Sequence, residues 1–309
     1  MNFGKLTEEQ LKEVNFALPP DGQLIAKTLK GLRKIKQPAF YVGCAKWGIK
    51  EWKNLIYPPK TKPSDFLDEY VKQFNSIELN AVFYSIPKVE NIRKWKAKAD
   101  DHARQGFIFC PKFSRSISHM KRLKKTEASM DKYLSSIYEL GPYLGPCFLQ
   151  LADKYLPSNM ESLMEFLENL PKDLKVFVEV RHESWFSDPG YRKELFEMLK
   201  RLNKGAIITD VSGRRDCLHM ELTIPEVFIR FVGNGSKHHA SDLARVDDWV
   251  LRLKSWLDQG LKKVYFFVHQ HDERDTPILA NYAIQQFNKH LGAEISEIDF
   301  LGDSADITK

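Results

Sequence analysis

Val176-Phe177-Val178-Glu179-Val180-Arg181-His182-Glu183-Ser184-Trp185 is a β-branched, apolar run that stops abruptly in a carboxylate, a guanidinium, an imidazole and an indole. Such a run reads as a buried parallel strand carrying chemistry at its C-terminal end. Side chains alternate along a strand, so Glu179 and Arg181 share a face, where each offsets the burial cost of the other. A polar site is expected at that strand end.

The same design recurs at Ala39–Trp47, Ser76–Asn80, Phe107–Lys112, Cys147–Leu151, Gly205–Asp210, Val227–Gly233 and Val264–His271, with Val176–His182 among them. Amphipathic stretches lie between most of these runs and carry helix signals. Ser158 has Glu161 three residues on, Asp188-Pro189 and Thr276-Pro277 open apolar runs, and Gly205, Gly260 and Gly292 close them. Strand and helix alternating eight times predict an α/β fold, a (β/α)8 TIM-type barrel with an N-terminal helical extension; an open doubly wound sheet is the other arrangement the pattern fits. The 309 residues suit one barrel of about 250 residues plus that extension, since no Pro/Gly/Ser-rich linker interrupts the middle. The extension is read as residues 1–38 and the barrel domain as 39–309. Thr7 and Gln10 form a capping-box pattern, Leu24, Ile25, Leu29 and Leu32 have helical spacing, and these helices are expected to cover the bottom of the barrel. Gly213–Pro225 shows no helix pattern, so one barrel helix is missing or replaced by a loop.

Composition sets bounds. No apolar run approaches the roughly 18 residues needed to span a bilayer, and Met1–Glu13 is too polar for a signal peptide, so a soluble cytoplasmic protein without membrane partners is expected. Cys44, Cys110, Cys147 and Cys217 lack metal-ligand spacing and read as free core thiols. There is no internal repeat beyond the strand–helix alternation and no low-complexity segment. Nothing in the sequence sets an oligomeric state.

Gly43–Trp47 with Trp52 and Tyr57-Pro58, Glu78-Leu79-Asn80 with Phe83-Tyr84 and Pro87, Lys112 with His119, Gly145-Pro146 with Leu149-Gln150-Leu151, and Glu179–Trp185 occur in this order. Together they resemble the YecE-like family, domain of unknown function 72, over roughly residues 40–290. The resemblance implies a TIM-type barrel with these residues gathered at one mouth, and implies no substrate. The chain departs from the family pattern in three places. Cys44-Ala45-Lys46-Trp47 stands where a Thr-Ser-Gly-Trp-like turn is usual, Arg230-Phe231-Val232-Gly233 where Arg-x-His-Gly is usual, and Val268-His269-Gln270-His271 where paired asparagines are common.

The strand ends supply a chemical inventory. Glu78 and Asn80 share a face on the second strand, Glu179 and Arg181 on the fifth, Asp210 closes the sixth and Arg230 lies in the seventh, with Lys112 and Gln150 on the third and fourth. Three carboxylates and three cations nearly cancel, which favours a carbohydrate-like, zwitterionic or phosphorylated small molecule as partner. Active sites of TIM barrels occupy this C-terminal face. Glu78, Glu179, Arg181 and Asp210 are therefore the expected catalytic set. Trp47, Asn80, Tyr84, Lys112, His119, Gln150, His182, Trp185, Arg230 and His269 are the expected substrate contacts, the aromatics offering flat faces to a sugar or base. For any one residue a structural ion pair or plain packing is an equal reading; the shared strand end is what favours a site.

The reaction expected of this set is acid/base chemistry by two carboxylates in different electrostatic settings, as in a hydrolase or isomerase. Glu179 beside Arg181 remains ionised, whereas Glu78, between Ile77 and Leu79, is the raised-pKa acid. No metal or other cofactor is expected. The metal-dependent alternative, a divalent-metal hydrolase or isomerase, would use His269 and His271 with Glu78, Glu179 or Asp210, but His269-Gln270-His271 lacks an evident complete ligand set. The competing class is a nucleic-acid-binding protein: the net charge is +6, and Lys121-Arg122 and Lys124-Lys125 follow the third strand. No RRM, KH or helix-turn-helix signature accompanies that charge.

Overall fold

The computed structural model describes residues 4–104 and 106–302; the outermost residues of the two expected segments, 1–3 and 303–309, lie outside the described residues. Eight parallel strands form where the apolar runs predict them: β1 (Ala39–Cys44), β2 (Ser76–Leu79), β3 (Ile108–Pro111), β4 (Cys147–Gln150), β5 (Val176–Glu179), β6 (Gly205–Asp210), β7 (Glu226–Gly233) and β8 (Lys263–Gln270). They pair in the order β3-β2-β1-β8-β7-β6-β5-β4, and isolated bridges at Phe109–Leu144 and Lys112–Phe148 span the seam between β3 and β4. A nearly closed (β/α)8 barrel results.

Helices α1 (Glu8–Lys12) and α2 (Ile25–Leu29) precede β1, and α3 (Phe66–Gln73) follows it. Then come α4 (Ala81–Tyr84) and α5 (Val89–His102) after β2, α6 (Glu127–Ile137) after β3, α7 (Met160–Glu168) after β4, and α8 (Ser184–Ser187) and α9 (Pro189–Arg201) after β5. Finally α10 (His239–Asp258) follows β7 and α11 (Thr276–Leu291) follows β8. Asp188 caps α9 by accepting from the Gly190 and Tyr191 amides at 2.7 and 3.1 Å, and Gly292 ends α11 in the left-handed region at φ 66°. Two signals resolve differently. Ser158 falls in a 3-10 turn, Pro157–Asn159, and α7 starts without a side-chain cap. Gly205 opens β6 instead of closing a helix; a β-carbon there would sit 2.1 Å from Phe177 Cδ1, so the glycine makes room for that ring.

Strand alternation divides the side chains. One parity points into the barrel, where Phe148, Phe177, Phe228, Tyr265 and Phe267 form an aromatic floor with centroids 4.9 Å apart for Phe228–Phe267 and 5.5 Å for Phe148–Phe228. The other parity joins the larger apolar core between sheet and helices. Register then carries inward residues above the floor: Gln150 pairs with Glu179, and Thr209 with Arg230.

No α-helix follows β6; a 3-10 segment, Ser212–Cys217, and an extended stretch lead into β7. The N-terminal extension supports this side. The Gln23 and Leu24 amides donate to the Glu221 carboxylate at 3.1 and 2.9 Å, and Thr28 Oγ1 donates to the Leu222 carbonyl at 2.6 Å. These contacts place α2 at the N-terminal ends of the strands, as expected. Helix α1, whose Thr7–Gln10 capping box forms, lies instead at the opposite end: the Gly213 amide, just beyond β6, donates to the Gly4 carbonyl at 3.0 Å, and Lys237 pairs with Glu8 at 3.1 Å. Glu221→Ala is expected to cost about 2 kcal/mol, because one buried and one half-buried amide lose a charged acceptor. Hydrogen exchange at Gln23 and Leu24 checks it; unchanged protection there would mean that apolar packing alone holds the extension.

Candidate functional site

Seven inward side chains from six strands, Glu78, Lys112, Gln150, Glu179, Arg181, Arg230 and His269, gather above the aromatic floor at the C-terminal ends. Arg230, 1% exposed, is the hub. Its Nε and Nη2 donate to the two Glu78 oxygens at 2.9 Å each, and its Nη1 donates to Glu179 Oε2 at 2.7 Å. Glu78 also accepts from Asn80 Nδ2 at 2.8 Å and His269 Nε2 at 2.9 Å, and Glu179 Oε1 accepts from Arg181 Nε at 2.7 Å. Both carboxylates are thus buried, paired and hydrogen-bonded, the condition under which ions persist in an interior.

Burial drives the Glu78 carboxyl up, but Arg230 and His269 more than offset it and hold the group well below the usual carboxylate range. At Glu179, Arg181 and Arg230 outweigh burial and hold the carboxyl down to about 2. Glu179 is ionised as expected; Glu78 is not the raised-pKa acid. Its cation arrives from β7, on the far side of the barrel, and its sequence neighbours Ile77 and Leu79 give no sign of it. Two donors on each oxygen leave Glu78 without a proton to give and with its acceptor positions filled.

Above this network lies a cavity of about 640 Å³. Lys112 forms part of its wall, with Nζ donating to Gln150 Oε1 at 2.9 Å and 4.1 Å from the centroid of Phe83. Burial and the charge of Arg230 outweigh Glu78 and Glu179 and bring the Lys112 ammonium down to about 7. Burial, then Lys112 and Arg181, lower His119 to about 4, so its imidazole is neutral at neutral pH. His119 meets Phe83 edge-on at 5.0 Å, and its Nδ1 is 2.8 Å from the Ser118 hydroxyl. Trp47, steadied edge-on against Trp95 at 5.4 Å, and Tyr84, 78% exposed, form apolar parts of the lining. Asn80, Gln150, Arg181, Arg230 and His269 complete the expected members that reach the cavity.

Three expected members lie elsewhere. Asp210 has the opposite parity: register sets Thr209, not Asp210, beside Arg230. The Asp210 carboxylate faces α10, where Arg245 and Trp249 Nε1 each bind it at 2.8 Å and Arg215 also pairs with it. His182 follows Arg181 and so turns from the lumen; its Nδ1 lies 2.7 Å from the Ser184 hydroxyl. Trp185 is fully buried and donates from Nε1 to the Tyr155 carbonyl at 2.7 Å, anchoring the loop beyond β4. His271 also parts from His269 and borders a separate cavity of about 300 Å³ with Asn234, Lys237 and His238. Among the described residues no three His, Cys, Asp or Glu side chains are grouped to hold a metal ion. The four cysteines are buried and free.

Phe83, Arg115, Lys46 and Glu273 also line the cavity and are not among the expected members. Lys46 and Glu273 pair at 3.2 Å, and Arg115 is exposed, with no ion pair among the described residues. Lys46 left a trace, standing where the family usually has glycine. Arg115 left none; it precedes a π-helical turn, Ser116–Met120, that no sequence signal announced. The basic Lys121–Lys125 segment does not line the cavity; Arg122 donates to the Lys154 carbonyl at 3.1 Å and Lys121 to the Lys125 carbonyl at 2.8 Å. Among the described residues no helix is long and apolar enough to cross a membrane.

A TIM-type barrel with a buried Glu–Arg–Glu cluster under its mouth is the class of protein defined here, and the chain belongs to the family described as Protein of unknown function DUF72, whose model matches residues 41–298. UPF0759 protein YecE of Escherichia coli (strain K12) is 27% identical over 269 residues, covering 81% of this chain and 93% of that protein. UPF0759 protein YunF of Bacillus subtilis (strain 168) is 26% identical over 162 residues, 50% of this chain and 55% of that protein. Crystal structures share the fold: a DUF72 family protein from Enterococcus faecalis V583 has a TM-score of 0.61 at 19% identity, covering 85% of this chain and 100% of its own. Another, from Thermotoga maritima MSB8, has a TM-score of 0.59 at 23% identity, covering 82% and 99%.

Proposed function

We propose that the protein is an enzyme acting on a small anionic molecule of sugar size, phosphorylated or carboxylated, with Lys112 moving the proton. The layering of charge carries this reading. Glu78 and Glu179 lie beneath Arg230, so the cavity wall is cationic, built from Lys46, Lys112, Arg115, Arg181 and Arg230, with Glu273, paired to Lys46, as its one carboxylate among the described residues. Such donors favour a phosphate or carboxylate by charge-assisted hydrogen bonds, and Trp47, Phe83 and Tyr84 offer flat faces to the rest of the molecule. Lys112, titrating at about 7, can give and take a proton near neutrality, as general acid/base catalysis requires. Glu78 and Glu179 then serve as positioning residues for the arginines. The volume of about 640 Å³ suits one small molecule, and the basic Lys121–Lys125 segment, outside the lining, gives less support to nucleic-acid binding.

Sulfate, which does not titrate near neutrality, tests the reading. It is expected to raise the melting temperature, with a gain of about 2.7 kcal/mol at a hundred times its Kd. Its affinity is expected to fall several-fold between roughly pH 6 and 8, as the Lys112 ammonium loses its proton, and Lys112→Arg is expected to abolish that step. No protection at any pH, or a pH step that persists in Lys112→Arg, would refute the proposal.

A further inference from the structure

We infer that the mouth captures a small anionic aldehyde or ketone as an imine on Lys112, an assignment of substrate class that rests on the anion-binding reading above. The amine stands in a wall whose other cations can hold the anionic end of the same molecule: Arg181 and Arg230 beside it and Arg115 at the rim. Among the described residues its Nζ donates to the Gln150 amide oxygen and forms an ion pair with no carboxylate. Glu78 and Glu179, the carboxylates near enough to act on its charge, are both taken by arginines. A buried lysine between guanidiniums is a poor salt-bridge former and a good nucleophile, because burial first, and then the charge of Arg230, favour its neutral form.

The step balances without a further reactant. The Lys112 ammonium loses a proton, and neutral Nζ adds to the carbonyl carbon, converting the C=O bond to a C–O single bond as the C–N bond forms. A second proton leaves nitrogen, and both protons reach the oxygen, which departs as water and leaves a C=N iminium on Lys112. Ammonium plus carbonyl thus gives iminium plus water, with no net gain or loss of protons. His119 is placed to carry those protons. It is neutral, it lines the same cavity, and it packs on the same Phe83 ring that lies 4.1 Å from Lys112 Nζ. The iminium keeps the positive charge of the ammonium, so the Glu78–Arg230–Glu179 network beneath it sees no change of charge.

Borohydride trapping on the full-length protein tests this, with ribose 5-phosphate, pyruvate and unphosphorylated ribose as separate probes. One adduct per chain is expected, mapped by peptide mass to Lys112, formed at least tenfold faster from ribose 5-phosphate or pyruvate than from ribose, suppressed by sulfate and absent in Lys112→Arg. The faster of the two anionic probes distinguishes a phosphate end from a carboxylate end. His119→Asn is expected to slow trapping at least tenfold while leaving sulfate protection in place. Adducts scattered over surface lysines, or the same labelling in Lys112→Arg, would overturn the imine. Sulfate protection without any trapping overturns the imine and leaves the anion site standing, whereas loss of both overturns the anion site as well.

Discussion

Arg230→Met is expected to lower stability by about 3–5 kcal/mol, the cost of leaving buried charges without their counter-ion. Methionine fills much of the volume, so the loss is electrostatic: Glu78 and Glu179, 0% and 3% exposed, would share no guanidinium. Adding Glu78→Gln and Glu179→Gln to the variant is expected to recover more than half of the loss, a non-additivity that a packing defect would not produce. The loss also depends on pH. Both carboxylates have folded pKa values below their usual 4.5, so in the wild type their contribution is complete above about 4.5 and is lost as the pH falls through the folded values, which for Glu179 is about 2. The gap between wild type and Arg230→Met is therefore expected to close over that acid range. Urea midpoints across pH 2–7 decide it; a loss under about 1 kcal/mol at pH 7 would show that water reaches the cluster.

Asp210→Ala is expected to cost a similar 3–5 kcal/mol, roughly 6–10 °C in melting temperature for a chain of this size, while sulfate affinity at the mouth stays within twofold. The carboxylate is completely buried and binds Arg245, Arg215 and Trp249 together, so its removal leaves the indole N–H without its acceptor and two guanidiniums with one buried carboxylate, Asp242 beside Arg245, in place of two. The consequence is mechanical: these partners join the end of β6 to α10 and to the segment beyond β6 that has no α-helix of its own. Glu179→Gln provides the contrast, since it weakens the hold on Arg181 and Arg230 and is expected to reduce sulfate affinity. If Asp210→Ala abolished sulfate binding without loss of stability, Asp210 would have to face the mouth after all.

The eight strands, the barrel and the family membership were legible in the chain, because period-two burial and apolar runs are local properties that do not depend on partners. Parity also carried most of the mouth: Glu78, Lys112, Gln150, Glu179, Arg181, Arg230 and His269 gather because each is the inward residue at its strand end. Where parity was set aside, the reading failed. Asp210 was placed by being last in its strand, and one residue of offset put it on the opposite face of the sheet.

Acidity was legible only at Glu179, whose arginine is two residues away. Ile77 and Leu79 around Glu78 describe an apolar site for a protonated carboxyl, yet Arg230 lies 152 residues away and reverses the result with two hydrogen bonds. Lys112 is the converse case, a lysine made neutral-prone by burial in the closed barrel and then by a guanidinium from another strand. The sequence by itself determined which residues stand at the strand ends and which way they face, since that follows from backbone geometry. Only the closed barrel decided which charges meet, because Coulomb interactions and desolvation depend on distance in space, and strands remote in sequence become neighbours only when the sheet curls round.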